Sequence, residues 1–288
     1  MIDAPAYSFR LLTVPPRQGW LWVRQGFASF MRRPLPYASL LALFLFAGLV
    51  SLLLPMIGGV LLLLALPLLS LGYMIATRSG EAGGPIHPGQ FIEPLRADPE
   101  RRRSLLVLCG LYALATLLII WVSGAIDDGR FERLQVLLGQ AESSEATRRE
   151  IDALLADDRL FNGLLVRMGL SALLSLPFWH APALVWWGGQ GAAQALFSST
   201  LAIWRNKAAF TVYGLSWVGV VALFGGVAGS ILTLLGARQF VGIAAVPLGL
   251  MVSTAFYVSL YFTFADSFGV SSDSASASSL PHPEEPPP

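Results

Sequence analysis

The sequence predicts an all-α integral membrane protein with six transmembrane helices, and three observations carry that prediction. Hydrophobic residues make up 55% of the 288 and charged residues only 13%, more apolar surface than a soluble core of this size hides. Six windows, residues 35–54, 57–77, 104–123, 164–187, 210–235 and 240–264, each approach or exceed the roughly 20 apolar residues that cross a bilayer. A backbone in lipid must pair its own N–H and C=O groups, so runs of this kind become helices.

Taken in chain order, the first apolar run begins at Leu35, after a polar and aromatic segment with no small-residue cleavage pattern behind it. A cleavable signal is therefore not expected. Within that segment Trp20, Val23, Phe27, Phe30 and Met31 recur at helical spacing, with Arg17, Arg24, Ala28 and Arg32 elsewhere around the helix. An amphipathic helix lying in the membrane interface and ending at Pro34 follows. Spans one and two come next, then a Gly- and Pro-rich loop at 78–103 without helical period until its end, where Asp98 is placed to cap a helix that starts at Pro99 and carries Glu100 in its first turn.

Span three leads into residues 124–163. Phe131, Leu134, Leu138 and Ala141 share one face there and Ile151, Leu154 and Leu155 another, which predicts a short helical hairpin over 129–158. Thr147 and Glu150 match a T-x-x-E capping box for its second helix. After span four, residues 196–207 form a second amphipathic helix ending at Lys207, followed by spans five and six. The segment 1–268 reads as one polytopic domain, and 269–288, "GVSSDSASASSLPHPEEPPP", as a disordered cytoplasmic tail.

Basic residues collect on the cytoplasmic side of inner membranes. Counting alternate sides of the six spans, twelve of the Arg and Lys, from Arg10 to Lys207, fall on one side and seven on the other, where six lie in or beside a loop with nine Asp and Glu. Both termini are thus expected in the cytoplasm and the hairpin outside. Sliding residues 22–33 onto 196–207 aligns Phe27 with Leu201, Phe30 with Trp204 and Arg33 with Lys207, and "ALPL" at 65–68 echoes "AVPL" at 245–248. Each half then reads as an interfacial helix plus two spans, a candidate parallel internal repeat.

The residues that bear on chemistry are few. No ionisable side chain lies mid-span, which disfavours an ion-coupled pump. His180 is the single imidazole in a span, between Pro177 and Pro182, prolines that kink a helix and free carbonyls. Two readings are open: a packed, hydrogen-bonded histidine, or a broken helix lining a binding site. Pro67 and Pro247, at matched positions of spans two and six, admit the same pair. Cys109 is alone, His87 and His282 give no metal-ligand spacing, and no phosphate loop, H-E-x-x-H or G-x-S-x-G is present, so neither a metal, a cofactor nor an enzyme is expected. In span five Ala222, Gly226 and Ser230, with Gly225 and Gly229, let a helix approach closely, within the bundle or between copies of the chain. The tryptophans at 20, 22, 121, 186, 187 and 204 read as interfacial anchors.

The segments "LLTVPPRQGWLW", "ALPLLSLGYMIATR", "PFWHAPALVWW", "ALFSSTLAIWRN" and "FTVYGLSW" resemble a family of uncharacterised six-pass bacterial inner-membrane proteins. More loosely, the layout is similar to the membrane region that precedes some glycerophosphodiester phosphodiesterase domains, although no such catalytic domain is present. Where that family has Arg-Asn-Pro after the first interfacial helix, this chain has Arg32, Arg33 and Pro34, which leaves open whether Arg205 and Asn206 have a counterpart. Two functions follow as expectations. One is a non-enzymatic accessory or assembly factor acting through a protein partner, a second copy or anionic lipid headgroups, with Arg101, Arg102 and Arg103 at headgroup level; nucleic acid is not expected. The other is a carrier or channel for a lipid or small neutral solute along proline-broken helices.

Overall fold

The structure, a computed structural model, describes residues 9–96, 98–139, 144–234 and 241–270. Six of its helices are long and apolar enough to cross a membrane. They are α2 (Pro34–Ser51), α3 (Gly58–Glu81), α4 (Pro99–Asp127), the pair α7 (Asp158–Phe178) and α8 (Ala181–Gly188), α10 (Lys207–Leu234) and α11 (Val241–Ser267), joined to α1 (Gln18–Arg32), α5 (Arg130–Leu138), α6 (Glu145–Leu155) and α9 (Ala192–Arg205). Their outer faces carry Phe46, Leu49, Leu114, Leu118, Leu173, Val218 and Leu223 in the open, the apolar exterior that lipid requires.

Local chemistry explains most boundaries. Arg33 precedes a proline, so its backbone leaves the helical region (φ −141°, ψ 65°), ending α1 and letting Pro34 begin α2. Asp98 caps α4 by accepting from the Arg101 N–H at 3.3 Å. At its other end α4 overruns the expected limit of residue 123 by one turn and stops where Asp128 (φ 55°) and Gly129 (φ 73°) turn left-handed. The loop before α4 is more ordered than its Gly and Pro content predicts: Pro88–Phe91 and Glu93–Arg96 are two 3-10 turns, the first tied by His87 N–H donating to Gln90 Oε1 at 3.1 Å. α6 begins earlier than the capping box at Thr147 and Glu150 implies. Ser144 is the cap, accepting from Thr147 N–H at 3.1 Å, and Glu150 pairs with Arg133 instead.

Two buried clusters form the interior, one built on α3, α4, α8, α9 and α11 around Leu71, Leu105, Leu184 and Phe264, the other on α1, α2, α3, α10 and α11 around Trp22, Tyr37, Tyr73 and Tyr213. α3 and α11 serve both. α1 does not lie apolar face down on lipid: its inner face, Gly19, Trp22, Val23, Gly26, Ser29 and Phe30, is sunk against α10 and α11, while Trp20 and Met31 of the expected stripe stay outside. Glycine is required at two of those positions. A Cβ on Gly19 would collide with Ala209 O and Tyr213 N, and one on Gly26 would stand 2.6 Å from the Ser259 Cβ.

α9 packs on α7, α8 and α4 rather than on the helices that would mirror the neighbours of α1. Pro67 is buried and Pro247 exposed, so the two prolines at matched positions meet different surroundings. Gly225, Gly226 and Gly229 have no neighbour within 4 Å of a Cβ, which puts the small residues of α10 on the outside of the bundle. Among the tryptophans, Trp20, Trp121 and Trp204 face outward, but Trp22 and Trp187 are core residues.

Strand β1 (Phe9–Leu11) pairs antiparallel with β2 (Phe268–Val270), Phe9 opposite Val270 and Leu11 opposite Phe268, and the Leu12 N–H continues the ladder to Ser267 O at 2.9 Å. Gly269 and Val270, the first two residues of the expected disordered tail, are instead strand; residues 271–288 of that expectation lie outside the described residues. This pairing holds both described ends of the chain at the same end of the six-helix bundle.

Candidate functional site

The five segments that carry the family resemblance converge on that end. The fourth span is broken where His180 stands between Phe178 and Ala181. In an intact helix the His180 N–H would donate to Leu176 O, four residues back. Instead it donates to Ser199 Oγ of α9 at 3.0 Å, and Ser199 Oγ donates on to Leu176 O at 3.0 Å. One hydroxyl thus sits inside the opened ladder and satisfies both halves, which is how a proline-flanked break survives without stranding backbone groups. Pro177 lies in the last turn of α7, and Pro182, in the first turn of α8, occupies a position that needs no intrahelical donor.

The His180 ring is fully buried. Phe210, Phe264 and Phe268 surround it edge-on with centroids 5.8, 5.8 and 5.4 Å away. Its Nε2 is 3.1 Å from Thr263 Oγ1, which donates its own proton to Leu260 O at 2.7 Å and accepts from Trp179 Nε1 at 3.2 Å. With the Thr263 proton already placed, Nε2 must carry the imidazole hydrogen. Nδ1 is then the lone-pair nitrogen, buried and without a partner among the described residues. Ser199 cannot serve as a nucleophile to this imidazole while its proton is held by Leu176, and no group of three His, Cys, Asp or Glu that would hold a metal occurs among the described residues.

Arg205 and Asn206 lie one layer away. Asn206 is buried, accepts from the Val14 N–H at 2.9 Å and donates from its amide to Leu12 O at 3.0 Å, so the side chain pairs with the extended 12–14 segment as a neighbouring strand would. Arg205 adds a bond from Nη2 to Thr13 Oγ1 at 3.3 Å, and Lys207 stands over the Trp204 ring at 5.3 Å. Asp266, at the end of span six, accepts from Gln18 Nε2 at 2.6 Å and Trp22 Nε1 at 2.8 Å, locking α1 to α11. Tyr213 and Ser259 share a buried bond of 2.7 Å between α10 and α11.

Pro67 reaches a cleft of about 270 Å³ between spans two, three, four and six, lined also by Ser70, Tyr112, Ser171, Ser175, Trp179 and Tyr257. Two of its hydroxyls are spent on their own helices, Ser70 on Pro67 O at 2.9 Å and Ser175 on Ala172 O at 2.6 Å. Pro247 does not line it. Thus the expected set divides: His180, Pro177 and Pro182 form one break, Arg205 and Asn206 a clamp, Pro67 a cleft wall, and Pro247 stands apart.

The opposite end of the bundle is built from charge. Arg130 donates from Nε to Asp157 Oδ2 at 2.7 Å and from Nη1 to Asp127 O at 3.0 Å; Arg133 holds Glu150 at 2.8 Å across the two hairpin helices. Arg167 binds Ser123 Oγ at 2.9 Å and Glu132 at 3.4 Å, its guanidinium over the Phe131 ring at 4.1 Å. The hydrogen bond from Arg130 holds the Asp157 carboxyl below the usual carboxylate range, and Asp157 in turn raises Arg130. α6 buries none of its residues.

The chain is 31% identical, over 266 residues spanning 91% of its own length and 94% of the other's, to a probable inner membrane protein of Burkholderia thailandensis. The chain belongs to this family of inner-membrane proteins. Like that relative in name, and with six apolar helices, it is a multi-pass protein of the bacterial inner membrane. No family model matches it, no solved structure matches it, and nothing in these similarities supports the looser likeness to membrane regions ahead of phosphodiester phosphodiesterases.

Sequence reasoning found His180 and Asn206 but passed over Ser199, Thr263 and Asp266. Their signal was present as polar residues interrupting apolar helices, in "FSSTLA" and "YFTFADS".

Proposed function

We propose that this inner-membrane protein is a non-enzymatic accessory or assembly factor whose α5–α6 hairpin is a docking platform for a protein partner on the periplasmic side. One observation carries the reading: the hairpin is fastened to the bundle through Arg130–Asp157 and Arg167–Glu132, while α6 buries no residue and Val136, Leu138 and Leu155 are left exposed. Fastening a helix pair while leaving its outer face uncovered is what a contact surface needs. The bias of Arg and Lys toward the other side supports a periplasmic hairpin with both termini cytoplasmic. The test replaces residues 129–158 by a short flexible linker and compares what co-purifies in stoichiometric amount with the full chain. Loss of one defined partner, with reporter fusions still showing six insertions, is expected; unchanged recovery sinks the reading.

A second reading, a carrier for a lipid or small neutral solute, is favoured by the cleft beside Pro67 and the broken fourth span. It expects Pro67→Leu, which fills the cleft wall, to slow lipid or solute transfer in liposomes containing the purified protein. Wild-type protein with no measurable flux over a broad panel counts against it.

A further inference from the structure

A cavity of about 290 Å³ opens where the described chain ends meet, walled by Phe9, Trp187, Tyr261, Phe264 and Phe268, with Arg78 at its rim. We infer that it is a binding site for one anionic phospholipid, the phosphate held by Arg78 and the glycerol region with the upper part of an acyl chain seated among the rings. This site is independent of the docking role of the hairpin, which lies at the other end of the six spans.

The walls are apolar and aromatic, and a free phosphate gains nothing from them; an amphiphile uses both features. Aromatic cavities often take cations, but here the Arg78 guanidinium already stands over the Trp187 ring at 5.2 Å, so a second cation is repelled and an anion attracted. Arg78 is exposed at the end of α3, and a guanidinium has five N–H donors, enough to serve protein neighbours and a phosphate together. The surrounding charge has the same sign. Arg101 donates to Trp186 O at 3.2 Å, beside the wall residue Trp187, and Arg10 stands opposite Gly269, itself a lining residue, in the β1–β2 ladder. The two nearby carboxylates are turned toward α1: Glu81 accepts from Ser29 Oγ at 2.7 Å and from Arg32, and Asp266 accepts from Gln18 and Trp22. The cavity lies level with the ends of α3, α8 and α11, the headgroup depth of a bilayer whose hydrocarbon those helices span. Its volume is about ten waters' worth, at ~30 Å³ each, which admits part of a lipid and excludes a whole one.

The experiment is native mass spectrometry of the full chain, stripped of lipid in detergent and then given phosphatidylglycerol or phosphatidylcholine of matched acyl chains. One phosphatidylglycerol per chain should be retained about fivefold over phosphatidylcholine, the preference one basic residue gives at an anionic headgroup. Arg78→Gln should bring the ratio to near one and Arg78→Lys should keep part of it. Arg103→Gln, exposed at the start of α4 and not a wall residue, should leave it unchanged. Because a variant at position 78 can misfold, a second measurement uses the native chain: brominated phosphatidylglycerol should quench a fluorescence component that Trp187→Phe removes, and brominated phosphatidylcholine at the same concentration should quench it less. Equal retention of the two lipids, a wild-type preference in Arg78→Gln, or displacement of the lipid by millimolar inorganic phosphate alone would each overturn the assignment.

Discussion

The two ends of the bundle are held by opposite means. At the end where β1 meets β2, Asn206, Ser199, Thr263 and Asp266 each satisfy two or more buried or half-buried groups. At the hairpin end, Arg133–Glu150, Arg149–Glu145 and Arg159–Asp128 are pairs of largely exposed side chains. A buried donor left without its acceptor keeps its full desolvation penalty, whereas an exposed ion pair that separates is taken up by water. The first end is therefore expected to be intolerant of substitution and the second tolerant.

The largest effect belongs to Asn206→Ala. It strands the Val14 N–H and Leu12 C=O together, and at about 1–3 kcal/mol for a stranded buried group it should lower the melting temperature in detergent by several degrees and release the 9–16 segment to protease. Asp266→Ala comes next, freeing Trp22 Nε1 in a site where the indole is fully buried; hydrogen exchange should rise across α1 and stay unchanged in α6. Ser199→Ala reopens the gap between His180 N–H and Leu176 O, with a cost of the same order, about 1–3 kcal/mol, and Ser199→Thr should recover part of it by returning the hydroxyl. Arg133→Ala should cost under about 1 kcal/mol because its partner is exposed. If Arg133→Ala proves as damaging as Asn206→Ala, the contrast fails.

Acid sharpens the same comparison. Asp157 has a folded-state pKa below its unfolded value, so its pairing with Arg130 contributes fully above the unfolded value and is lost as pH falls through the folded one. Lowering the pH from 7 toward 3 should increase hydrogen exchange over 130–155 while the His180 region, which has no carboxylate partner among the described residues, keeps its protection. Raising the salt concentration at pH 7 should loosen the hairpin in the same direction, by less.

What the sequence showed was set by one-dimensional physics. Six apolar runs, the Asp98 cap and the stop at Pro34 depend on neighbours within a few residues, and all are seen in the structure. Ser199 showed only as a hydroxyl in an apolar helix; its role was not legible because its partner is a carbonyl 23 residues away, exposed by a kink that the sequence marks only as two prolines. The inner face of α1 was misjudged for a related reason. An amphipathic stripe fixes which side is apolar but not whether lipid or protein covers it, and Gly19 and Gly26, the residues that admit α10 and α11 so closely, carry no hydrophobic signal. Pro67 and Pro247 matched as letters, yet one is buried and the other faces out, since a match in sequence does not fix which helices pack on either side.

The β1–β2 ladder also sets a timetable. Phe9 is among the first described residues to be made and Val270 the last, so at about 5–20 residues per second the early strand waits roughly 13–50 seconds for its mate. For most of that interval α10 and α11 do not yet exist, and the face of α1 bearing Trp22, Val23 and Phe30 lacks the two helices it packs against most extensively in the finished bundle. The arrival of the last two spans is therefore the event that completes the burial of α1.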